Sequence, residues 1–167
     1  MNLYVLRHGI AVEPGTPGFE RDSDRPLTPK GRHQLRQIAG AMEKMDLRFD
    51  LILSSPFLRA KQTAEIIAES LKLKKQPGFS DALTPDGNPK ALIRQLNELK
   101  AVPENVLLVG HEPYLSCLIS LLTTGRVDLM MDFKKGGLCK LEIEKLSHDR
   151  CATLVWLLTP GRMKLMA

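Results

Sequence analysis

Three times along this chain a short polar residue followed by proline opens a stretch whose apolar residues recur at helical spacing: Thr28-Pro29, Ser55-Pro56 and Asn88-Pro89. Ser, Thr and Asn accept hydrogen bonds from the free N–H groups of a first helical turn, and proline there has its φ preset and no N–H to lose. Leu35, Ile38, Ala39, Met42 and Met45 form the stripe behind Thr28, which predicts a helix to about Asp46. Ala60, Ala64, Ile67, Ala68 and Leu71 form the next, with Ser55 as its expected cap, and a third helix runs from Asn88 to near Lys100. Between them, Asn2 to Leu6, Phe49 to Ser54 and Val106 to Val109 are short runs rich in strand formers. Gly110 to Pro113 turns the last of these into an apolar helix reaching Thr124, and Leu138 to Leu146 with Cys151 to Leu158 predicts an antiparallel pair. The order specifies an α/β three-layer sandwich: a mostly parallel central sheet, helices on both faces and an antiparallel C-terminal strand pair. A chain of 167 residues is expected to form one domain, 1–167.

Several function classes are excluded on composition. The apolar runs fall far short of the roughly 18 residues of a membrane span, and the first of them meets Arg7 with no basic leader, so the reading is a cytoplasmic chain without a membrane partner. Cys117, Cys139 and Cys151 make no CxxC pair, which argues against a disulfide framework or a zinc site. The net charge of +5 is spread almost evenly, aromatics are only 5%, and Lys72, Lys74 and Lys75 fall at a helix end, so no nucleic-acid partner is expected. His33 and His148 are read as surface residues, and Met42, Met45, Met130 and Met131 as core or gap-filling ones.

Open α/β sheets bind ligands beyond the carboxyl ends of their strands. Arg7 and His8 follow the first strand there, Arg59 lies in the first turn of the helix after the second, and His111 follows the strand at Val106. A cation in a first helical turn is disfavoured by the dipole unless an anion shares the site, and guanidinium forks match phosphoryl oxygens. Such a pocket suits phosphate, with neutral His8 as in-line nucleophile and His111 as donor to an equatorial oxygen. Gly9 would let the backbone approach closely. Each residue taken singly has a structural explanation; their common placement is what points to chemistry. The glycine- and proline-rich loop from His8 to Pro26 is long enough to be functional.

Leu6-Arg7-His8-Gly9, Ser54-Ser55-Pro56 with Arg59-Ala60 and Gln62-Thr63-Ala64, and Gly110-His111 resemble the histidine phosphatase superfamily. Within it, the short length, the Asp22-Ser23-Asp24-Arg25-Pro26-Leu27-Thr28 segment, Ser-Pro-Phe-Leu-Arg-Ala at 55–60 and Leu83-Thr84-Pro85-Asp86-Gly87 resemble the SixA-type phosphohistidine phosphatases. The resemblance implies a phosphohistidine intermediate on His8, with Arg7, Arg59 and His111 completing the pocket and Asp22 and Arg25 at its rim. The partner it points to is a histidine-phosphorylated protein as substrate; no metal is expected, since the pocket is cationic and lacks a carboxylate cluster, and no cofactor and a monomer are expected. Where mutases and sugar phosphatases of this superfamily place a proton-donating Glu, this chain reads Phe79-Ser80-Asp81-Ala82-Leu83. A phosphohistidine asks less of an acid, because its protonated ring leaves as neutral imidazole. Two alternatives stay open, a phosphatase of small phosphate esters and a phosphate-recognition module without turnover. Asp81 would be an acid only if its loop folds over the pocket, and Asp22 with Arg25 could equally be a surface ion pair.

Overall fold

The computed structural model describes residues 1–167. Six strands form one sheet: β1 (Asn2–Arg7), β2 (Leu51–Ser54), β3 (Gly78–Phe79), β4 (Asn105–Gly110), β5 (Leu138–Ile143) and β6 (Ala152–Leu158), in the order β3-β2-β4-β1-β5-β6. Neighbours from β3 to β1 are parallel, whereas β5 runs antiparallel to both β1 and β6. Five helices surround it: α1 (Pro29–Lys44), α2 (Leu58–Ser70), α3 (Pro89–Asn97), α4 (Tyr114–Thr124) and α5 (Pro160–Lys164).

Alternation along the central strands divides the apolar side chains between two cores. Tyr4, Leu6, Leu107 and Val109 point to the face covered by α1, α2 and α5, where they meet Leu35, Ile38, Met42, Ile67 and Met163. Leu3, Val5, Val106 and Leu108 point to the face covered by α3 and α4, against Leu92, Ile93, Leu115, Leu118 and Ile119. This is the three-layer sandwich with an antiparallel C-terminal pair that the element order predicts. No helix is long and apolar enough to cross a membrane.

Two of the three cap-and-proline signals act as expected: Thr28 Oγ1 accepts from Gly31 N at 3.0 Å, and Asn88 Oδ1 from Lys90 N at 2.9 Å. Ser55 does not cap. The helix it precedes begins at Leu58, after an uncapped Phe57; the Ser55 hydroxyl accepts from Phe57 N and pairs with His111 Nε2. Helices α1 and α3 stop two to three residues short of their expected ends, at Lys44 and Asn97. Strand β3 and helix α5, two and five residues long, are too short to leave a period in the sequence. Met130 is 95% exposed rather than filling the core, since it lies on the irregular segment between α4 and β5.

Register aligns the carboxyl ends of three adjacent strands. Arg7 of β1 lies opposite Gly110 of β4, and Val109 of β4 opposite Ser54 of β2. The residues that follow these ends are delivered to one place.

Candidate active site

The backbone of His8 continues the β1 ladder by donating to Gly110 O at 3.0 Å, which holds the ring at the sheet edge, only 5% exposed. Its Nδ1 lies 2.7 Å from Gly9 O. A carbonyl can only accept, so Nδ1 carries the ring proton and Nε2 the lone pair. Arg59 Nε donates to that Nε2 at 3.2 Å. Burial, reinforced by His111 and the two arginines and only partly offset by the Gly9 hydrogen bond, holds His8 well below the usual histidine range. It is therefore neutral at neutral pH, as a nucleophilic imidazole must be.

His111 is 1% exposed and stands across from His8, with ring centroids 5.0 Å apart. Its Nε2 is 2.8 Å from Ser55 Oγ, while Nδ1 is buried without a hydrogen-bond partner. Ser55 Oγ accepts from Phe57 N at 3.3 Å, and its hydroxyl proton can go to His111 Nε2; in that tautomer the ring proton sits on the open Nδ1. Burial first, then the Arg59 charge, lowers the His111 pKa to about 3. Arg7 donates through Nη1 to Phe133 O at 2.7 Å and leaves Nε buried and unpartnered.

Arg59 is 3% exposed in the first turn of α2. Its Nη1 donates to Asp22 O at 2.6 Å and its Nη2 to Asp22 Oδ2 at 2.8 Å. Arg25 meets the other carboxylate oxygen through Nε at 2.8 Å and Nη2 at 2.6 Å, and its Nη1 donates to Val12 O. Partial burial raises the Asp22 pKa, but the hydrogen bonds and charges of Arg59 and Arg25 outweigh it, and the carboxyl ends below its ordinary range. Asp22 and Arg25 are thus a bridge that ties the long loop to Arg59, more than an isolated surface pair.

Gly9 enters the cluster differently from the close backbone approach expected of it. Its N–H donates to Thr63 Oγ1 at 3.1 Å, and a Cβ there would stand 2.8 Å from Leu35 Cδ1, so its smallness admits α1. Asp81 is exposed on a short turn of 3-10 helix. Ser55, Thr63 and Phe57 are members that residue-type reasoning missed: Thr63 donates to Arg59 O at 2.7 Å, and Phe57 packs edge-on to His111 and under Arg59. All three lie within the blocks that carry the family resemblance, and that was the signal available for them.

Arg7, His8, Arg59 and His111 thus gather beyond the strand ends, and Arg7 Nε and His111 Nδ1 are buried there without a hydrogen-bond partner. Residues 3–83 match the family model described as the histidine phosphatase superfamily, branch 1. The chain is 37% identical over 142 residues to an uncharacterised protein of Picosynechococcus, covering 84% of each. It is 27% identical over 166 residues to the phosphohistidine phosphatase SixA of Escherichia coli, covering 99% of this chain and 98% of that one. A solved structure of the protein histidine phosphatase SixA complexed with tungstate aligns with a TM-score of 0.79 and 28% identity, over 96% of this chain and 98% of the other.

Proposed function

Because the chain belongs to the histidine phosphatase superfamily, we propose that it is a phosphohistidine phosphatase working by double displacement. His8 Nε2 attacks the phosphorus of a phosphohistidine on another protein in line, the P–N bond to that protein breaks, and the protonated ring leaves as neutral imidazole. Water then attacks the phosphorus on His8, the new P–N bond breaks, and phosphate departs. Arg7 and Arg59 spread the charge of the equatorial oxygens, His111 Nδ1–H donates to one of them, and Asp22, braced by Arg25, holds the far edge of Arg59.

The observation that carries this reading is the state of His8: buried, neutral, with its proton locked on Nδ1 by Gly9 O and its Nε2 lone pair turned toward the Arg59 guanidinium. A pocket that merely recognised phosphate would need the cations and no such imidazole. Likeness to SixA proteins over nearly the full length of both chains supports the choice of phosphohistidine over an ester. The reaction as drawn uses no metal and no cofactor, and a cytoplasmic protein is the expected partner.

Phosphate release from a phosphohistidine-bearing protein, measured for wild type and His8→Ala with a chelator present and a small phosphate ester alongside, tests the reading. The expected result is chelator-resistant release that vanishes in His8→Ala, with the ester turned over slowly. Preference for the ester would replace the substrate, and phosphate binding without turnover of either would replace the enzyme by a recognition module.

A further inference from the structure

Next to Arg7 a pocket of about 640 Å³ opens between α1, the segment 132–135 and the start of α5. Arg7, Lys134 and Lys135 set three cations on its wall against the single carboxylate of Asp132. The lysines have partners within the chain, Lys134 with Asp132 at 2.5 Å and Lys135 with Glu13 at 3.9 Å, but the four side chains are between 37% and 76% exposed. Exposed pairs of that kind hold weakly and are screened by salt, so incoming carboxylates can exchange with them.

A second feature of the wall narrows the occupant. Gln34 Oε1 is buried and has no hydrogen-bond partner. It stands 3.4 Å from where a Cβ on Gly136 would be, and Gly136 N donates to the carbonyls of Arg7 and His8, so Gln34 lies beside the backbone that carries them and shares the pocket wall with Arg7. By turning, the Gln34 amide can offer an incoming chain either its oxygen or its NH2. A polypeptide backbone carries an N–H and a C=O on nearly every residue, and acidic side chains on the same segment would meet the lysines.

We propose that this pocket docks an acidic segment of the phosphorylated protein beside its phosphohistidine, so that Gln34, Lys134 and Lys135 select the substrate while His8 and the arginines process it. The proposal rests on the phosphohistidine reading above. It predicts specificity expressed in encounter and salt dependence, the usual signature of rim charges.

Three probes separate the two ideas: phosphoimidazole, a synthetic peptide with one phosphohistidine flanked by Glu, and its counterpart flanked by Lys. Wild type is expected to favour the Glu-flanked peptide by about tenfold in kcat/KM at low salt, with the preference shrinking as salt rises. The double variant Lys134→Glu, Lys135→Glu is expected to lose or invert that preference while hydrolysing phosphoimidazole at the wild-type rate. No preference in wild type, an unchanged preference in the variant, or loss of phosphoimidazole turnover in the variant would overturn the docking proposal. In the first two cases phosphoimidazole turnover would leave the phosphohistidine reading standing. If wild type cleaves none of the three probes, that reading fails first and the docking proposal with it.

Discussion

Each nitrogen of the Arg59 guanidinium has a partner, Nε with His8 Nε2, Nη1 with the Asp22 carbonyl and Nη2 with the Asp22 carboxylate, which leaves two of its five N–H groups for a phosphoryl oxygen. In the proposed reaction Asp22 is a positioning residue that acts through this arginine. Asp22→Asn keeps the side-chain shape and removes the charge, which frees the guanidinium to tilt away from the phosphoryl position. The expected outcome is a fall in kcat of between about 10- and 100-fold with KM little changed, the scale that small misplacements of catalytic groups produce. Partial recovery in Asp22→Glu would mark orientation as the cause, whereas equal losses in both variants alongside a lowered Tm would mean the bridge only stabilises the loop. Arg7, His8, Arg59 and His111 were legible in the sequence because each immediately follows, or sits one turn beyond, a strand end. The Asp22 to Arg59 contact was not legible as geometry, since it joins residues 37 apart through a loop without periodicity. Asp22, like Arg25, entered only through the family resemblance.

Helix α1 carries two glycines whose surroundings differ, and they report on how the helix supports the site. A Cβ on Gly31 would stand 2.1 Å from the backbone oxygen of Ile10, two residues past His8, so Gly31→Ala must push the helix start and the loop apart. Overpacking against backbone costs about 1–3 kcal/mol, and here it would also displace His8, so stability and turnover should fall together. A Cβ on Gly40 would meet only Ala167 Cβ, at 3.9 Å. Gly40→Ala should therefore stabilise by about 0.5–1 kcal/mol through helix propensity alone, with turnover unchanged. Urea midpoints and phosphate release on both variants check the contrast; equal shifts would show that α1 does not brace the loop. At this scale the sequence spoke through strong local signals. Thr28-Pro29 and Asn88-Pro89 start helices because their side-chain oxygens accept from free N–H groups of the first turn, and Thr28 does so while its hydroxyl also donates to Ile10 O. Ser55-Pro56 has the same pattern, yet its helix starts only at Leu58 and its hydroxyl pairs with His111, 56 residues away, a contact that no local rule sees.

Across the whole molecule, three adjacent parallel strand ends place two histidines inside a site that is almost closed to solvent, and this convergence has a thermodynamic cost. In the unfolded chain both titrate near the ordinary histidine value of about 6.5. In the folded protein His111 titrates at about 3, chiefly through burial, and His8 is also pushed well below the ordinary value. Below about pH 6.5 the unfolded state therefore binds more protons than the folded one, so stability falls with pH across the window down to about pH 3. Above about pH 6.5 both states are neutral at these positions and the pair contributes no slope. Asp22, whose folded pKa is lowered, adds a loss of the same sign only once the pH drops through the carboxylate range. Urea midpoints should accordingly be lower at about pH 5 than at about pH 7.5, and His111→Gln should flatten the difference. Inorganic phosphate should restore much of the loss at the lower pH, because it binds the folded state alone and its charge favours protonated histidines. A midpoint that is unchanged between the two pH values, or that drops equally in His111→Gln, would mean the histidines exchange protons with solvent freely and that the closed, neutral site described for the nucleophile does not form.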